Sequence, residues 1–168
     1  IGTGVVRNGT ADVKLDVPAG KQNITITYNG NDLTNPVTMK QSITVNKNNA
    51  KITIEPIENI TLYNTTQICG KLTDINGNPI PNAKVTLNMD EVTTNVTTDR
   101  YGDYKLVYNT THVGLNNVTA AFGGDDTYHP AEANATYNAS KIRTYVTVDD
   151  VNGTLGENIT LHATVTDE

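Results

Sequence analysis

Tryptophan is missing from the 168 residues, phenylalanine and cysteine occur once each, and no apolar run approaches the roughly 18 residues a membrane-spanning helix needs. Each absence narrows the reading. A single cysteine, Cys69, cannot form a disulfide within the chain, so stability has to come from packing, and Cys69 itself reads as a lone half-buried thiol. Membrane insertion within this segment is not expected, and no positively charged, apolar leader is present. A piece of a longer secreted protein would lack leader and anchor alike, so secretion stays open. Lys and Arg total 12 against 18 Asp and Glu, a net charge of −6 without a basic cluster, which removes the electrostatic footprint of a nucleic-acid binder. Serine is scarce too: only Ser42 and Ser140 occur, neither in a G-x-S-x-G elbow. His112, His129 and His162 are scattered without metal-ligand spacing and read as surface histidines. No residue recommends itself as catalytic, cofactor-binding or metal-ligating, and no enzyme is expected.

What the chain has instead is alternation. Val13, Leu15 and Val17 alternate with Lys14 and Asp16, and Ile24, Ile26 and Tyr28 with Thr25 and Thr27, the pattern of half-buried strands. Further along, the predicted inward sets are Ile52 and Ile54; Ile68, Gly70 and Leu72; Ala83, Val85, Leu87 and Met89; Tyr104, Leu106 and Tyr108; Val118, Ala120 and Phe122. Threonine fills the outward positions, where its branched Cβ favours extended backbone and its hydroxyl tolerates water. Turn residues separate these runs at Asn8-Gly9, Pro18-Ala-Gly20, Asn29-Gly30, Asn76-Gly-Asn-Pro79, Asp99-Arg-Tyr-Gly102 and Gly123-Gly124. Strands are therefore predicted at 51–56, 66–74, 84–89, 92–98, 103–108, 117–122 and 134–138. About seven short antiparallel strands make an all-β, immunoglobulin-like sandwich, with a lean core given only 36% hydrophobic residues.

Two phrases recur. Asn23-Ile-Thr-Ile-Thr-Tyr-Asn-Gly30 is echoed by Asn117-Val-Thr-Ala-Ala-Phe-Gly-Gly124, and Ile68-Cys-Gly-Lys-Leu-Thr-Asp74 by Leu161-His-Ala-Thr-Val-Thr-Asp167, each about ninety residues later. A tandem array follows. Residues 1–48 read as the C-terminal part of a first repeat, 49–140 as a complete repeat and 141–168 as the N-terminal part of a third. The junctions, 46–51 and 138–143, are short and lack glycine, which implies a semi-rigid string.

Gly9-Thr-Ala-Asp-Val-Lys-Leu, Pro18-Ala-Gly20 and Ile24-Thr-Ile-Thr-Tyr-Asn-Gly-Asn-Asp32, taken in order, resemble the second half of bacterial-type immunoglobulin-like repeats. Thr154-Leu-Gly-Glu-Asn-Ile-Thr-Leu-His-Ala-Thr-Val-Thr-Asp167 resembles the opening half. Such repeats occur in adhesin-like surface proteins of bacteria and methanogenic archaea, and the richness in Asn, Thr and Ile is similar to the methanogen versions. The resemblance implies a cell-surface stalk whose partners are its neighbouring repeats and, at a tip, glycans or proteins of a host or neighbouring cell. In the middle repeat Phe122 replaces the usual corner tyrosine, so no hydroxyl can act there.

Asn-x-Ser/Thr acceptor triplets for N-linked glycans begin at Asn8, Asn23, Asn59, Asn64, Asn95, Asn109, Asn117, Asn134, Asn138, Asn152 and Asn158. Composition alone would give roughly four. Triplets also arise wherever a turn asparagine meets a strand threonine, but glycans there would coat outward faces and shield sheet edges. The acidic pairs Asp125-Asp126 and Asp149-Asp150 invite a calcium site at a junction, yet neither supplies the six or more oxygens calcium takes, and solvated turn carboxylates are the simpler reading. Lys14 and Lys105 fall on the outward phase, where the amine stays protonated and unfit for an intramolecular amide crosslink. The expected function is a non-enzymatic spacer in a large extracellular adhesin-like protein. The alternative is a subunit of a self-assembling surface layer or filament, completed by strand exchange between neighbours.

Overall fold

The computed structural model describes residues 2–90 and 92–168, and every regular element in them is a β-strand. β1 (Gly20–Tyr28) and β2 (Val37–Val45) form a hairpin. β3 (Ala50–Ile54), β4 (Ile60–Thr61), β5 (Thr65–Asp74), β6 (Lys84–Met89), β7 (Val92–Thr97), β8 (Asp103–Asn109), β9 (Gly114–Phe122) and β10 (Ala131–Ser140) build two sheets. One is ordered β3-β5-β8, the other β4-β10-β9-β6-β7, and only the short β4–β10 pairing is parallel. β11 (Thr144–Val148) and β12 (Ala163–Asp167) make a second hairpin.

The inward faces of the two sheets share a single core. Ile52, Ile68 and Leu72 from the three-stranded sheet meet Val85, Leu87, Met89, Val118, Ala120, Phe122 and Tyr137 from the five-stranded one. Every inward residue expected between 52 and 122 is buried or half-buried, because period-two alternation sends successive side chains to opposite faces. Each large aliphatic side chain sealed there contributes about 1.5–3 kcal/mol. Small residues shape the core as much as large ones. A Cβ on Gly70 would run into the Thr53 carbonyl and the Tyr104 ring. Its absence lets Tyr104, opposite Gly70 in the register, reach across β5 and donate its hydroxyl to the Thr53 oxygen at 2.6 Å.

Strand boundaries depart from expectation where the backbone chemistry requires it. The strand placed at 51–56 ends at Ile54, since Pro56 has no N–H to offer a ladder, and the chain crosses to the other sheet as β4. β9 and β10 run longer than 117–122 and 134–138, because their hairpin pairs continuously from Phe122–Ala131 to Gly114–Ala139. Alanine at 131, 133, 135 and 139 weakens the strand signal there without weakening the ladder. The non-strand spacers consequently shrink to 46–49 and 141–143.

One expected strand does not form. Residues 11–19 carry no ladder, and Val13 and Leu15 are 42% and 41% exposed. Extended backbone becomes a strand only when a neighbour takes its N–H and C=O groups, and here the pairing is confined to the Arg7–Thr10 bridge around Asn8-Gly9. Ile26 is likewise 52% exposed, not half-buried. Buried polar side chains were not foreseen: Thr98 donates to Ile80 O (2.8 Å) and accepts from Ala83 N (2.9 Å), and Thr110 meets the Tyr137 hydroxyl at 3.1 Å. Asn116 is also buried; its Nδ2 donates to two backbone carbonyls and its Oδ1 has no partner among the described residues.

The two hairpins repeat the middle segment's pairing. In β1–β2, Tyr28 faces Val37 and Lys21 faces Thr44; in β9–β10, Phe122 faces Ala131 and Leu115 faces Asn138, every residue 94 positions later. The connecting loops match as well. Gly30 and Gly124 have φ of 75° and 79°, Asn31 N donates to Thr34 O and Asp125 N to Tyr128 O, and the side-chain oxygens of Asn31 and Asp125 each accept from the loop that follows. At the other end, β3–β5 pairs Ala50–Asp74 through Ile54–Gly70, and β11–β12 pairs Thr144–Asp167 through Val148–Ala163, five rungs each. The next backbone bond recurs too, Glu55 N to Cys69 O and Asp149 N to His162 O.

Candidate functional site

Two surface depressions, of 390 and 380 Å³, are open and shallow. The first lies beside Lys84, Phe122 and Asp125; the second is lined by Asn59, Asn64 and Asn138. Among the described residues no group of three or more His, Cys, Asp or Glu side chains converges as a metal site would need. Of the carboxylates singled out for calcium, Asp125 accepts the N–H groups of Thr127 and Tyr128, both at 2.8 Å, and Asp149 pairs with His162 at 3.3 Å. Asp74 and Asp99 do the same turn-closing work, Asp74 holding Asn76 N and Asn78 N, Asp99 holding Tyr101 N and Asp103 N. The Asn78 side-chain amide on Asp74 keeps that carboxyl below the usual aspartate range. Cys69 is half-buried on the outward phase of β5, opposite Lys105. His112, His129 and His162 are exposed and apart, and Lys14 and Lys105 face solvent.

The distinctive chemistry lies on the outward sheet faces. All acceptor asparagines, from Asn8 to Asn158, are exposed, and the asparagines withdrawn from solvent, Asn88 and Asn116, stand outside the triplets. On the five-stranded sheet the outward residues form cross-strand rows. Thr93, Asn88, Thr119 and Asn134 occupy one row over β7, β6, β9 and β10; Asn95, Thr86, Ala121 and Glu132 occupy the next. Hydroxyls and amides pair along these rows: Thr93 donates to Asn88 (2.8 Å), Thr119 to Asn134 (2.6 Å) and Thr86 to Asn95 (2.9 Å). Ser42 treats Asn23 alike on the first hairpin, at 2.6 Å. At the sheet edge Asn59 accepts Asn138 N at 2.8 Å, fastening the segment before β4 to β10. The sequence supplied the asparagines; only the register supplies their partners.

These features define a class: an all-β chain organised around an antiparallel β-sandwich, with polar outward faces and no enclosed cleft among the described residues. No family model matches it, and neither does any curated protein. Solved structures similar to it include two surface-associated proteins by their descriptions. A Corynebacterium diphtheriae protein described as membrane anchored aligns with 79% of this chain and 34% of its own at 13% identity, TM-score 0.41. Domains 4–9 of the surface layer protein SbsC align with 94% of this chain and 25% of their own at 18% identity, TM-score 0.41. The chain thus spans about a third or less of those it matches. No helix of the described residues is long and apolar enough to cross a membrane.

Proposed function

We propose that this chain is a non-enzymatic spacer segment of an extracellular, adhesin-like surface protein, built from successive immunoglobulin-like units of the bacterial type. The observation that carries the reading is the recurrence of strand register, loop hydrogen bonds and glycine conformation 94 positions apart in β1–β2 and β9–β10, with the matching recurrence in β3–β5 and β11–β12. On this reading residues 1–48, 49–140 and 141–168 belong to three consecutive units, joined by spacers of a few residues. Reach and stiffness are the mechanism: strands of five to ten residues laid along the axis give each unit about 40 Å with its loops. The partners are neighbouring units and, beyond the spacer, glycans or proteins of another cell.

A second reading is a surface layer or filament in which β11–β12 of one molecule covers β1–β2 of the next as β3–β5 covers β9–β10, strand exchange between neighbours taking the place of the next unit of the same chain. Sedimentation velocity across a hundredfold concentration range separates the two. A concentration-independent monomer with a high frictional ratio supports the spacer; growth into head-to-tail polymers overturns it in favour of the filament.

A further inference from the structure

We propose that the outward face of the five-stranded sheet is the N-glycosylated face of the β3–β10 sandwich, with Asn95 and Asn134 its principal acceptors, while the three-stranded face stays bare. This rests on the extracellular reading above.

Position makes these asparagines unusual. Turn-to-strand junctions generate acceptor triplets without selection, but Asn95, Asn117, Asn134 and Asn138 lie inside strands, where asparagine is disfavoured. All four side chains point outward on one sheet. On the opposite sheet the outward positions of β3, β5 and β8 hold Lys51, Gln67, Lys71 and Lys105, and the acceptors stand at the rim: Asn109 as the last residue of β8 and Asn64 immediately before β5.

Side-chain geometry adds a second argument. Modification replaces one N–H of the Asn Nδ2 with a bond to the anomeric carbon of a sugar. The carbon–oxygen bond to a phosphate leaving group on a lipid-linked oligosaccharide donor breaks, the proton leaves to a base, and no electrons are transferred. The carboxamide oxygen remains an acceptor throughout. Asn95 and Asn134 already use that oxygen, taking the Thr86 and Thr119 hydroxyls from the adjacent strand. This fixes the amide plane and leaves Nδ2 toward solvent, without a partner among the described residues. The asparagines whose Nδ2 donates within the protein, Asn78 and Asn116, lie outside the triplets. A glycan therefore enters at Asn95 and Asn134 without costing a hydrogen bond. On β7, an edge strand of its sheet, it also obstructs pairing with another chain.

Glycopeptide mass spectrometry of protein from its native source, combined with lysine acetylation rates, tests this. Lys84 lies on the coated face, its neighbour across the ladder two residues from Asn95; Lys51 and Lys105 lie on the other face. Sugars are expected at Asn95 and Asn134. Lys84 should be acetylated several-fold more slowly than in the same chain from a host without N-glycosylation, with Lys51 and Lys105 unchanged. Sugars elsewhere with Asn95 and Asn134 bare, or equal Lys84 rates in the two preparations, would overturn the face assignment. A surface-located chain bare at every triplet would overturn it too, while leaving the extracellular reading intact; recovery of the chain from the cytosol would remove that reading itself.

Discussion

Gly70→Ala should be among the most damaging single-methyl additions to the sandwich. The new Cβ meets the Thr53 carbonyl, which is backbone held in the β3–β5 ladder, and the Tyr104 ring, which is packed in the core. Neither is the free end of a flexible side chain, so a strand has to shift. Overpacking of this kind costs about 1–3 kcal/mol. The shift also disturbs the bond between the Tyr104 hydroxyl and Thr53 O, and a buried hydroxyl left unpaired costs about 1–3 kcal/mol more. Together these give about 3 kcal/mol, or roughly 12–24 °C in Tm for a cooperative unit of 60–100 residues. Circular dichroism melts of Gly70→Ala, Tyr104→Phe and the double variant provide the measurement. Tyr104→Phe alone should cost about 1 kcal/mol, and the double variant should be less unstable than the sum of the singles, because the hydroxyl that clashes is gone. A Gly70→Ala protein within about 0.5 kcal/mol of the parent, or strict additivity, would refute the account of this contact.

Three further outcomes are expected. Thr98→Val keeps the shape but strips partners from Ala83 N and Ile80 O, so its urea midpoint should fall by the equivalent of about 2 kcal/mol with an unchanged m-value; no fall would mean those bonds contribute nothing. Burial pushes the Tyr104 and Tyr137 hydroxyls above the ordinary tyrosine value of 10.0. A raised folded pKa gives stability that is whole below pH 10 and lost as pH climbs beyond it, so melts should be flat into the mildly alkaline range and fall above it, less so in Tyr137→Phe. Asp74 has the opposite sign: its folded pKa lies below 3.8, so its contribution is present above that value and disappears as acid protonates it, and Asp74→Asn should lose part of the acid sensitivity.

Between 50 and 140 the inward phase was readable because alternation is a property of consecutive residues, and each strand there found the neighbour its pattern implied. Ile68, Leu72, Val85, Leu87 and Val118 needed nothing more than period two to be placed. Thr98 and Thr110 were invisible for a complementary reason: threonine at a strand end reads as surface, and only the partners brought to its hydroxyl, the 80–83 loop for Thr98 and Tyr137 of β10 for Thr110, make it interior. β4 was hidden by its length of two residues, though Pro56 marked where the first strand had to leave its sheet. For the candidate face, the triplets could be read directly, whereas the Thr86–Asn95 and Thr119–Asn134 pairings join residues brought level by register alone.

The difference between the buried middle and the exposed hairpins separates what is encoded locally from what is not. β1–β2 and β9–β10 adopt the same register because their loops dictate it: Gly30 and Gly124 occupy left-handed backbone, and a Cβ on either would strike the carbonyl of Thr34 or Tyr128. Such a loop fixes which residues face each other whatever lies above the sheet. Burial is another matter. Phe122 is sealed in the core shared by the two sheets, while Tyr28, at the same place in its own hairpin, is half-buried and turns its hydroxyl to Thr34 at 2.8 Å. Phe122→Tyr, which adds a hydroxyl to a ring packed in the core, should lower the melting temperature of the sandwich, whereas Tyr28→Phe, outside that core, should leave it in place; equal effects would mean that the packing of Phe122 contributes nothing.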